Sequence, residues 1–252
     1  MLRNIVYGVF SVFMIFLFTG CGTKSINVSP EIGYGNPDYN HIKELPEFRY
    51  TEPDKPDKEK QSAEKMSSNE YERLGDAFLN RKNYFMAYLQ YEKALEKDPG
   101  NITVMYKKGL AMLKEGKSSD SIKQFRAVLD RKEDFAPAYQ GIGRACFMEK
   151  RFNAAYVYFK KATETDPLLW KSYNYLGIIH DRNRQYEKAV KEYKTALTLK
   201  PSAGHIYNNL GVSLQSKGNT PAAVKAFQKA LEAGYVNKRI FNNLGWAFLD
   251  LE

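Results

Sequence analysis

The hydrophobic and polar positions of this 252-residue chain repeat with a period of 34 residues from residue 67 onwards. Glycine marks the period, in a column that consists of Gly75, Gly109, Gly143, Gly177, Gly211 and Gly245. A large apolar residue lies four positions before each glycine. After each of the first five, a small residue follows at twelve positions and Tyr or Phe at sixteen. The pattern predicts two-helix units whose helices cross closely at the small residues.

This pattern resembles the tetratricopeptide repeat (TPR) family over residues 68–252. The resemblance implies an all-α fold, a right-handed solenoid of helix-turn-helix units, because one helix pair cannot bury its apolar face alone. We predict an array over residues 67–252, with a sixth, half repeat at 238–252. The five complete repeats are expected at about 68–101, 102–135, 136–169, 170–203 and 204–237.

The N-terminal segment has the pattern of an export signal, which we place at residues 1–20. Its apolar run, residues 5–18, has the length of a signal-peptide core and is shorter than an ordinary membrane span. The sequence FTGC at 18–21 resembles the lipobox of bacterial lipoproteins, although Phe18 stands where that motif usually has Leu. The resemblance implies lipidation of Cys21, with palmitate among the acyl chains. The alternative is an ordinary secretory signal or an anchor helix.

A predicted tether, residues 21–66, precedes the first repeat. It holds five of the ten prolines, ends in a run of charged residues and sustains no apolar period, so we expect it to be disordered. The formal charge of the whole chain is +9, and residues 67–252 carry 30 basic and 20 acidic side chains. A basic domain attracts anionic partners such as acidic peptides, although evenly spread lysines also serve solubility.

Residues capable of chemistry are not arranged as a catalytic or metal site. His41, His180 and His205 lie far apart in the sequence, and the chain's two cysteines cannot form a four-thiolate zinc site. The Gly-Lys-Ser segment at 116–118 lacks the earlier glycine of a phosphate-binding loop, so we predict a turn. His180 and Cys146 share one apolar column of the repeat and are expected to be buried. We therefore predict a protein that is not an enzyme and has no cofactor and no metal ion.

The TPR resemblance implies that the inner face of the first helices forms a concave groove, which binds a protein or an extended peptide. The predicted groove residues are Asp76, Asn80, Tyr106, Gln140, Arg144, Phe147, Asn174, Ile178, Asp181, Arg182, Asn208, Gln215 and Asn242. Arg144 and Arg182 are candidates for clamping a carboxylate, because a guanidinium group binds it in a bidentate way. The asparagines resemble ladders whose amides bind the backbone of a ligand. The alternative is that Asn belongs to the repeat consensus at this position.

The combination of signal, lipobox, tether and repeats is similar to the TPR lipoproteins of tight-adherence (Flp) and type IV pilus assembly. The resemblance implies a lipid-anchored scaffold on the periplasmic face of the outer membrane, with a secretin or pilus-assembly component as partner and without nucleic acid. Gly22, where inner-membrane lipoproteins carry Asp, favours the outer membrane. The alternatives are an outer-membrane protein-assembly subunit and the TPR portion of a larger glycosyltransferase or peptidoglycan enzyme.

The last half repeat is apolar, whereas a terminal repeat normally needs a polar outer face. We expect Phe241, Leu244 and Phe248 to face repeat five, and Trp246 and Leu249 to lie on the groove side. Two explanations are open. Either the chain is a fragment of a longer repeat protein, or a partner or a second copy completes the last helix, in which case the chain self-associates here.

Overall fold

A computed structural model of the protein describes residues 66–251, and the regular secondary structure in that range is entirely α-helical. The predicted signal peptide, Cys21 and nearly all of the tether lie outside the described residues. The helices of this range are α1 Ser68–Asn80, α2 Tyr84–Lys97, α3 Ile102–Lys114, α4 Ser118–Arg131, α5 Ala136–Met148, α6 Phe152–Thr165, α7 Trp170–Arg182, α8 Tyr186–Leu199, α9 Gly204–Ser216, α10 Thr220–Glu232 and α11 Lys238–Leu249.

Each helix contacts the next one along the chain, so every 34-residue unit is a helix pair stacked on its neighbours. The first helices of successive units also contact one another, as in α3 with α5, α7 with α9 and α9 with α11. These first helices form one layer of the array and the second helices form the other. The prediction of an all-helical solenoid is confirmed: each of the five complete repeats holds two helices, and the half repeat holds one.

The turn inside each complete repeat contains one residue with a left-handed backbone, seven positions after the column glycine. This residue is Gly116 (φ 89°) or Gly218 (φ 85°) in two repeats, and Lys82, Lys150 or Arg184 (φ 56–60°) in the other three. Glycine adopts this conformation without the steric penalty that a Cβ atom brings. The segment that begins at Gly116 is therefore a turn between two helices and not a phosphate-binding loop.

An aromatic ring of each second helix lies directly on the backbone of its first helix at the column glycine. A Cβ atom added to Gly143 would lie 2.8 Å from the Phe159 ring, and one added to Gly177 would lie 2.5 Å from the Tyr193 ring. The same contact joins Gly75 to Tyr91, Gly109 to Phe125 and Gly211 to Phe227. All five rings are buried. The two helices of a repeat reach this separation only because the first helix has no side chain there.

The two reactive side chains that share an apolar column are buried, as their position predicts. Cys146 lies in the hydrophobic cluster that joins repeats two to four, and burial raises the pKa of its thiol. His180 is also buried, its Nδ1 lies 2.8 Å from Oε1 of Gln185, and its ring meets the edge of Tyr156. Both residues therefore fill the core of the array.

The prediction for the last helix, α11, is wrong for Phe241 and Phe248, which are both exposed. Ile240 and Ala247 face repeat five instead, with no solvent exposure, and Leu244 is packed beside them. The helix is thus rotated from the predicted orientation. The residues that contact the preceding repeat lie five positions before and two positions after the column glycine. The prediction placed them four positions before and three positions after it.

The exposure of Phe241 is explained by comparison with the equivalent residue of a complete repeat, which a second helix covers. Tyr139, at the same position of repeat three, is buried, and Nζ of Lys161 from the second helix of that repeat lies 4.6 Å from the centre of its ring. Among the described residues, no second helix follows α11. Aromatic positions that a second helix covers elsewhere in the array are therefore open to solvent in α11.

We expect Gly143→Ala to destabilise the fold and Gly245→Ala to leave it unharmed. The methyl group at position 143 would press on the Phe159 ring, at a cost of about 1–3 kcal/mol, as for other overpacked cores. At Gly245 nothing lies within 4 Å of an added Cβ. Its alanine variant should gain up to about 1 kcal/mol from helix propensity. Thermal unfolding followed by circular dichroism measures both variants, and equal shifts would contradict this packing.

Candidate functional site

The first helices line a cavity of about 890 Å³ on one side of the array. Every first helix from α1 to α11 contributes to it, because the 34-residue stacking presents the same helix face repeatedly. Its lining residues, here called the concave groove, are Leu79, Asn80, Lys82, Tyr84, Tyr106, Leu110, Lys114, Gln140, Arg144, Trp170, Lys171, Asn174, Tyr175, Ile178, His205, Asn209, Tyr235 and Arg239.

Positive charge dominates the concave groove. Its cations are Lys82, Lys114, Arg144, Lys171 and Arg239, and no Asp or Glu is among its lining residues. The ion pairs found in residues 66–251 involve other lysines and arginines and leave these five out. Cations that face a shared concave surface without neutralising carboxylates raise the local concentration of anionic ligands.

Aromatic side chains also line the concave groove. Tyr106 packs its ring against Phe125 and Phe135, and burial raises the pKa of its hydroxyl. The Trp170 ring lies 6.0 Å from the ring of His205. Partial desolvation lowers the pKa of His205, so its imidazole is mostly neutral at pH 7 and the groove's charge comes from Lys and Arg.

The structure brings six of the predicted groove residues together in this cavity. They are Asn80, Tyr106, Gln140, Arg144, Asn174 and Ile178. Asp181 and Asn208 line a smaller adjoining cavity of about 400 Å³. Asp181 accepts hydrogen bonds from the hydroxyls of Tyr193 and Ser213, and burial raises the pKa of its carboxyl. That carboxylate is therefore engaged within the fold.

Three other predicted groove residues lie outside both cavities because they are used in packing. Asp76 accepts a hydrogen bond of 2.7 Å from the Tyr91 hydroxyl and pairs with Nζ of Lys107 at 2.6 Å. The Arg182 guanidinium stacks 3.8 Å from the centre of the Phe152 ring. The Phe147 ring meets the same Phe152 ring edge-on at 5.3 Å. The predicted clamp of Arg144 with Arg182 is thus divided, and only Arg144 lies in the concave groove.

The last two predicted residues lie near the C-terminal end of the array. Nε2 of Gln215 donates to the Asp250 carboxylate at 2.6 Å, so this side chain ties α9 to the end of α11. Asn242 is exposed on α11 and is absent from the lining of both cavities. Both residues thus lie on first helices, and neither of them lines the two cavities.

Amide side chains connect successive first helices across the concave groove. Nδ2 of Asn209 donates to Oδ1 of Asn174 at 3.2 Å, and Nδ2 of Asn243 donates to Oδ1 of Asn208 at 2.9 Å. Nε2 of Gln140 donates to the Ser172 hydroxyl at 2.9 Å. These side chains form a ladder of hydrogen bonds between successive repeats, so the amides bind other groups of the protein itself.

Several basic residues of the concave groove are absent from the sequence-based set. Lys171, His205 and Arg239 occupy one column, six positions before the glycines of repeats four to six. The 34-residue period therefore groups these three residues in one column, but it does not show that this column faces the groove. Lys82 lies in a turn and Tyr235 follows α10, so no helical pattern places them in the groove.

Family models for the tetratricopeptide repeat match the chain without a gap from residue 106 to residue 252. A model described as TPR repeat matches 184–218, and one described as tetratricopeptide repeat matches 158–191. A further tetratricopeptide repeat model matches 106–169 and 208–252. Together they cover more than half of the chain, which belongs to the tetratricopeptide repeat family.

Solved structures of repeat proteins share this fold. A crystal structure of MamA is 28% identical and covers 66% of this chain and 91% of its own, with a TM-score of 0.55. The Pseudomonas aeruginosa pilF protein is 20% identical, covers 73% and 85%, and has a TM-score of 0.65. Superkiller complex protein 3 of Homo sapiens is 32% identical over 80 residues, which are 32% of this chain and 5% of that protein. This chain thus spans a small fraction of that relative.

Proteins built from tetratricopeptide repeats are generally non-catalytic scaffolds for protein–protein interaction. Within residues 66–251, no three His, Cys, Asp or Glu side chains are grouped so that they could hold a metal ion. No helix in the same part of the chain is long and apolar enough to cross a membrane. The fold is that of a protein-interaction scaffold, and the concave groove is its candidate binding site.

We expect Asn174→Ala to destabilise the array. The change removes the acceptor of the Asn209 amide, and losing one such hydrogen bond costs about 0.5–1.5 kcal/mol. Asn242→Ala is the matched control: it changes the same repeat position on α11, where the side chain is exposed, and should stay within about 0.5 kcal/mol of wild type. Urea unfolding measures both, and equal midpoints would exclude a structural role for the ladder.

Proposed function

We propose that this protein is a scaffold of the bacterial cell envelope that holds an extended acidic segment of a partner protein in the concave groove. The observation that carries the proposal is the charge of that surface. Five Lys and Arg side chains line it, and no Asp or Glu does. The fold supports protein binding as the activity, and this charge selects the class of ligand.

Each kind of side chain in the concave groove has a part in binding such a ligand. Arg144 and Arg239 offer planar guanidinium groups that bind a carboxylate through two hydrogen bonds, whereas the lysines act as point charges. Tyr175 and Trp170 give apolar contact between the charges. Because the cations come from different repeats, a segment with several carboxylates would be held at several points, and its affinity would fall as salt screens the charges.

For location we propose a lipid anchor at Cys21 and the outer membrane. The support is in the sequence: the apolar run, the FTGC motif at 18–21 and Gly22. Several acyl chains hold a protein stably on a membrane, whereas a single chain gives only marginal binding. The tether over 21–66 would then separate the repeats from the bilayer surface.

The process that we propose is assembly of a pilus or secretion machine, with a secretin or pilus component as partner. Its support is the resemblance of the signal, tether and repeats to pilus-assembly lipoproteins. The pilF protein of Pseudomonas aeruginosa, at 20% identity, has the same fold. A structural similarity at 20% identity supports the shared fold alone. The proposed process therefore rests on the sequence features.

We expect the chain to bind a Glu-rich fluorescent peptide more tightly than the matched peptide with Gln at each Glu. Replacing Arg144 and Arg239 together by Gln should weaken binding at least about tenfold, since a hydrogen bond to a charged group contributes about 1.5–3 kcal/mol. The control variant replaces Lys123 and Lys160 by Gln, which removes the same charge from exposed positions of second helices.

Fluorescence anisotropy at two salt concentrations gives the affinities, and circular dichroism checks that each variant is folded. Equal affinity for the Glu and Gln peptides would overturn the acidic-ligand proposal. An equal loss in the groove variant and the control variant would also overturn it, because binding would then reflect net charge alone.

We expect Cys21→Ser to abolish metabolic labelling with palmitate and to release the protein from membranes. The thiol is the proposed acceptor of the acyl group, and a serine hydroxyl does not replace it. Cys146→Ala is the matched control, because this second cysteine is buried and should not affect labelling. Gel fluorography and membrane fractionation measure both effects. Undiminished label on the Cys21→Ser variant would exclude the lipobox.

A further inference from the structure

A further cavity, of about 530 Å³, lies between the second helices α8 and α10 and over the first helix α9. It is here called the α8–α10 cavity, and it shares no lining residue with the concave groove. Its apolar lining includes Leu197, Leu210 and Leu214. A mainly apolar cavity of this size that also carries a few polar groups is typical of a binding site.

The cavity exists because Ala226 is small. Fifteen positions after the column glycine, the other four complete repeats carry a long side chain, which is Gln90, Gln124, Tyr158 or Glu192. In repeat two, the Gln124 amide reaches the first helix and donates to the backbone carbonyl of Met105 at 3.1 Å. Met105 is the equivalent of Tyr207, which lines the cavity. Ala226 therefore leaves open a space over the first helix that a side chain fills in other repeats.

Tyr158 of repeat three shows what kind of group fits this space. Its side chain is half-buried and packs against the hydrophobic cluster that joins repeats two to four. Nη2 of Arg126, from the second helix of repeat two, donates to the Tyr158 hydroxyl oxygen at 3.4 Å. Arg126 and Tyr158 are the equivalents of Lys194 and Ala226. An aromatic ring whose polar end meets a cation thus occupies, two repeats earlier, the place that is open between α8 and α10.

The α8–α10 cavity also carries positive charge. Lys194, Lys225 and Lys229 line it, and no Asp or Glu is among its lining residues. None of these three lysines takes part in the ion pairs found in residues 66–251. Nζ of Lys229 lies 6.0 Å from the centre of the Tyr207 ring. Three ammonium groups beside an apolar cavity attract a ligand that has negative charge next to an apolar group.

We propose that the α8–α10 cavity binds one aromatic side chain of a partner protein, within a segment where acidic residues flank that side chain on both sides. The ring takes the space that Tyr158 takes in repeat three, and the flanking carboxylates lie beside the three lysines. The choice of a partner protein follows from the fold, which is that of an interaction scaffold. The predicted tether does not supply this ligand, because none of its four aromatic residues, Tyr34, Tyr39, Phe48 and Tyr50, has an acidic residue on both sides.

The test uses a fluorescein-labelled peptide with one Tyr between two pairs of Glu, and the same peptide with Ala in place of Tyr. The protein is the whole chain with Arg144→Gln and Arg239→Gln, so that the concave groove contributes little to binding. Fluorescence anisotropy gives the two affinities. The Tyr peptide should bind at least about tenfold more tightly, because both peptides carry the same charge and only one buries a ring.

Two substitutions of Ala226 locate the ring. Ala226→Gln introduces the residue that repeat two has at this position, and it should close the cavity and make the two affinities equal. Ala226→Ser is the matched control, because its side chain is too short to fill the cavity, and it should keep the preference for Tyr. Replacing Lys194 and Lys229 by Gln should weaken binding of the Tyr peptide about fivefold or more. Replacing the exposed Lys123 and Lys160 by Gln removes the same charge and should not.

Circular dichroism checks that each variant is folded, and the comparison of the two peptides needs no change at the cavity. Equal binding of the Tyr and Ala peptides would overturn the proposal, whether the cavity stays empty or is covered by another part of the chain or by a second copy. An undiminished preference for Tyr in folded Ala226→Gln would also overturn it, because the ring would then bind elsewhere. Equal losses in the two lysine variants would exclude the acidic flanks. The groove proposal is tested by Glu against Gln peptides on the unaltered chain, so the two proposals fail independently.

Discussion

The contact between an aromatic ring and a glycine inside each repeat is the constraint on which the rest of the structure depends. The Phe159 ring lies where a side chain at Gly143 would be, and the same arrangement recurs in the other complete repeats. Burying one such side chain contributes about 1.5–3 kcal/mol, and the close approach adds contact between the two helices. The contact sets the separation of the helices, and so it sets how one pair can stack on the next.

Regular stacking then decides where the polar residues point. Because each unit is placed on its neighbour in the same way, a residue that faces inward in one first helix has equivalents that face inward in the others. Lys171, His205 and Arg239 line one cavity for this reason. The asparagine ladder depends on the same regularity, since Asn174 and Asn209 meet only if consecutive first helices are correctly aligned. The binding surface is therefore a consequence of the packing in the core.

The concave groove and the exposed side of α11 that carries Phe241 and Phe248 arise in different ways. The concave groove forms because every unit presents the same helix face to it. Its charged residues occupy columns that do not take part in the packing of the core. The face of α11 arises where repetition stops among the described residues, so that Phe241 and Phe248 have no second helix over them.

The sequence by itself determined the class of fold, the number of repeats and the column in which an aromatic ring meets glycine. The reason is that a period of 34 residues, with glycine at one position and aromatic residues at others, is typical of stacked helix pairs and of few other structures. It also determined that Cys146 and His180 lie in the core, because they share a column with apolar residues. Of the residues that it predicted for the groove, Arg144, Tyr106 and Gln140 line the concave cavity.

Only the tertiary structure decided the rotation of α11 and the engagement of particular polar groups. A helix has several apolar columns, and neighbouring columns differ in which helix they meet, so the pattern did not distinguish Ile240 from Phe241. Asp76 and Arg182 occupy inward-facing columns, but nearby hydroxyl, ammonium and aromatic partners draw them into the packing. Such pairings depend on distances between residues that are remote in sequence or on different helices, and periodicity carries no information about those distances.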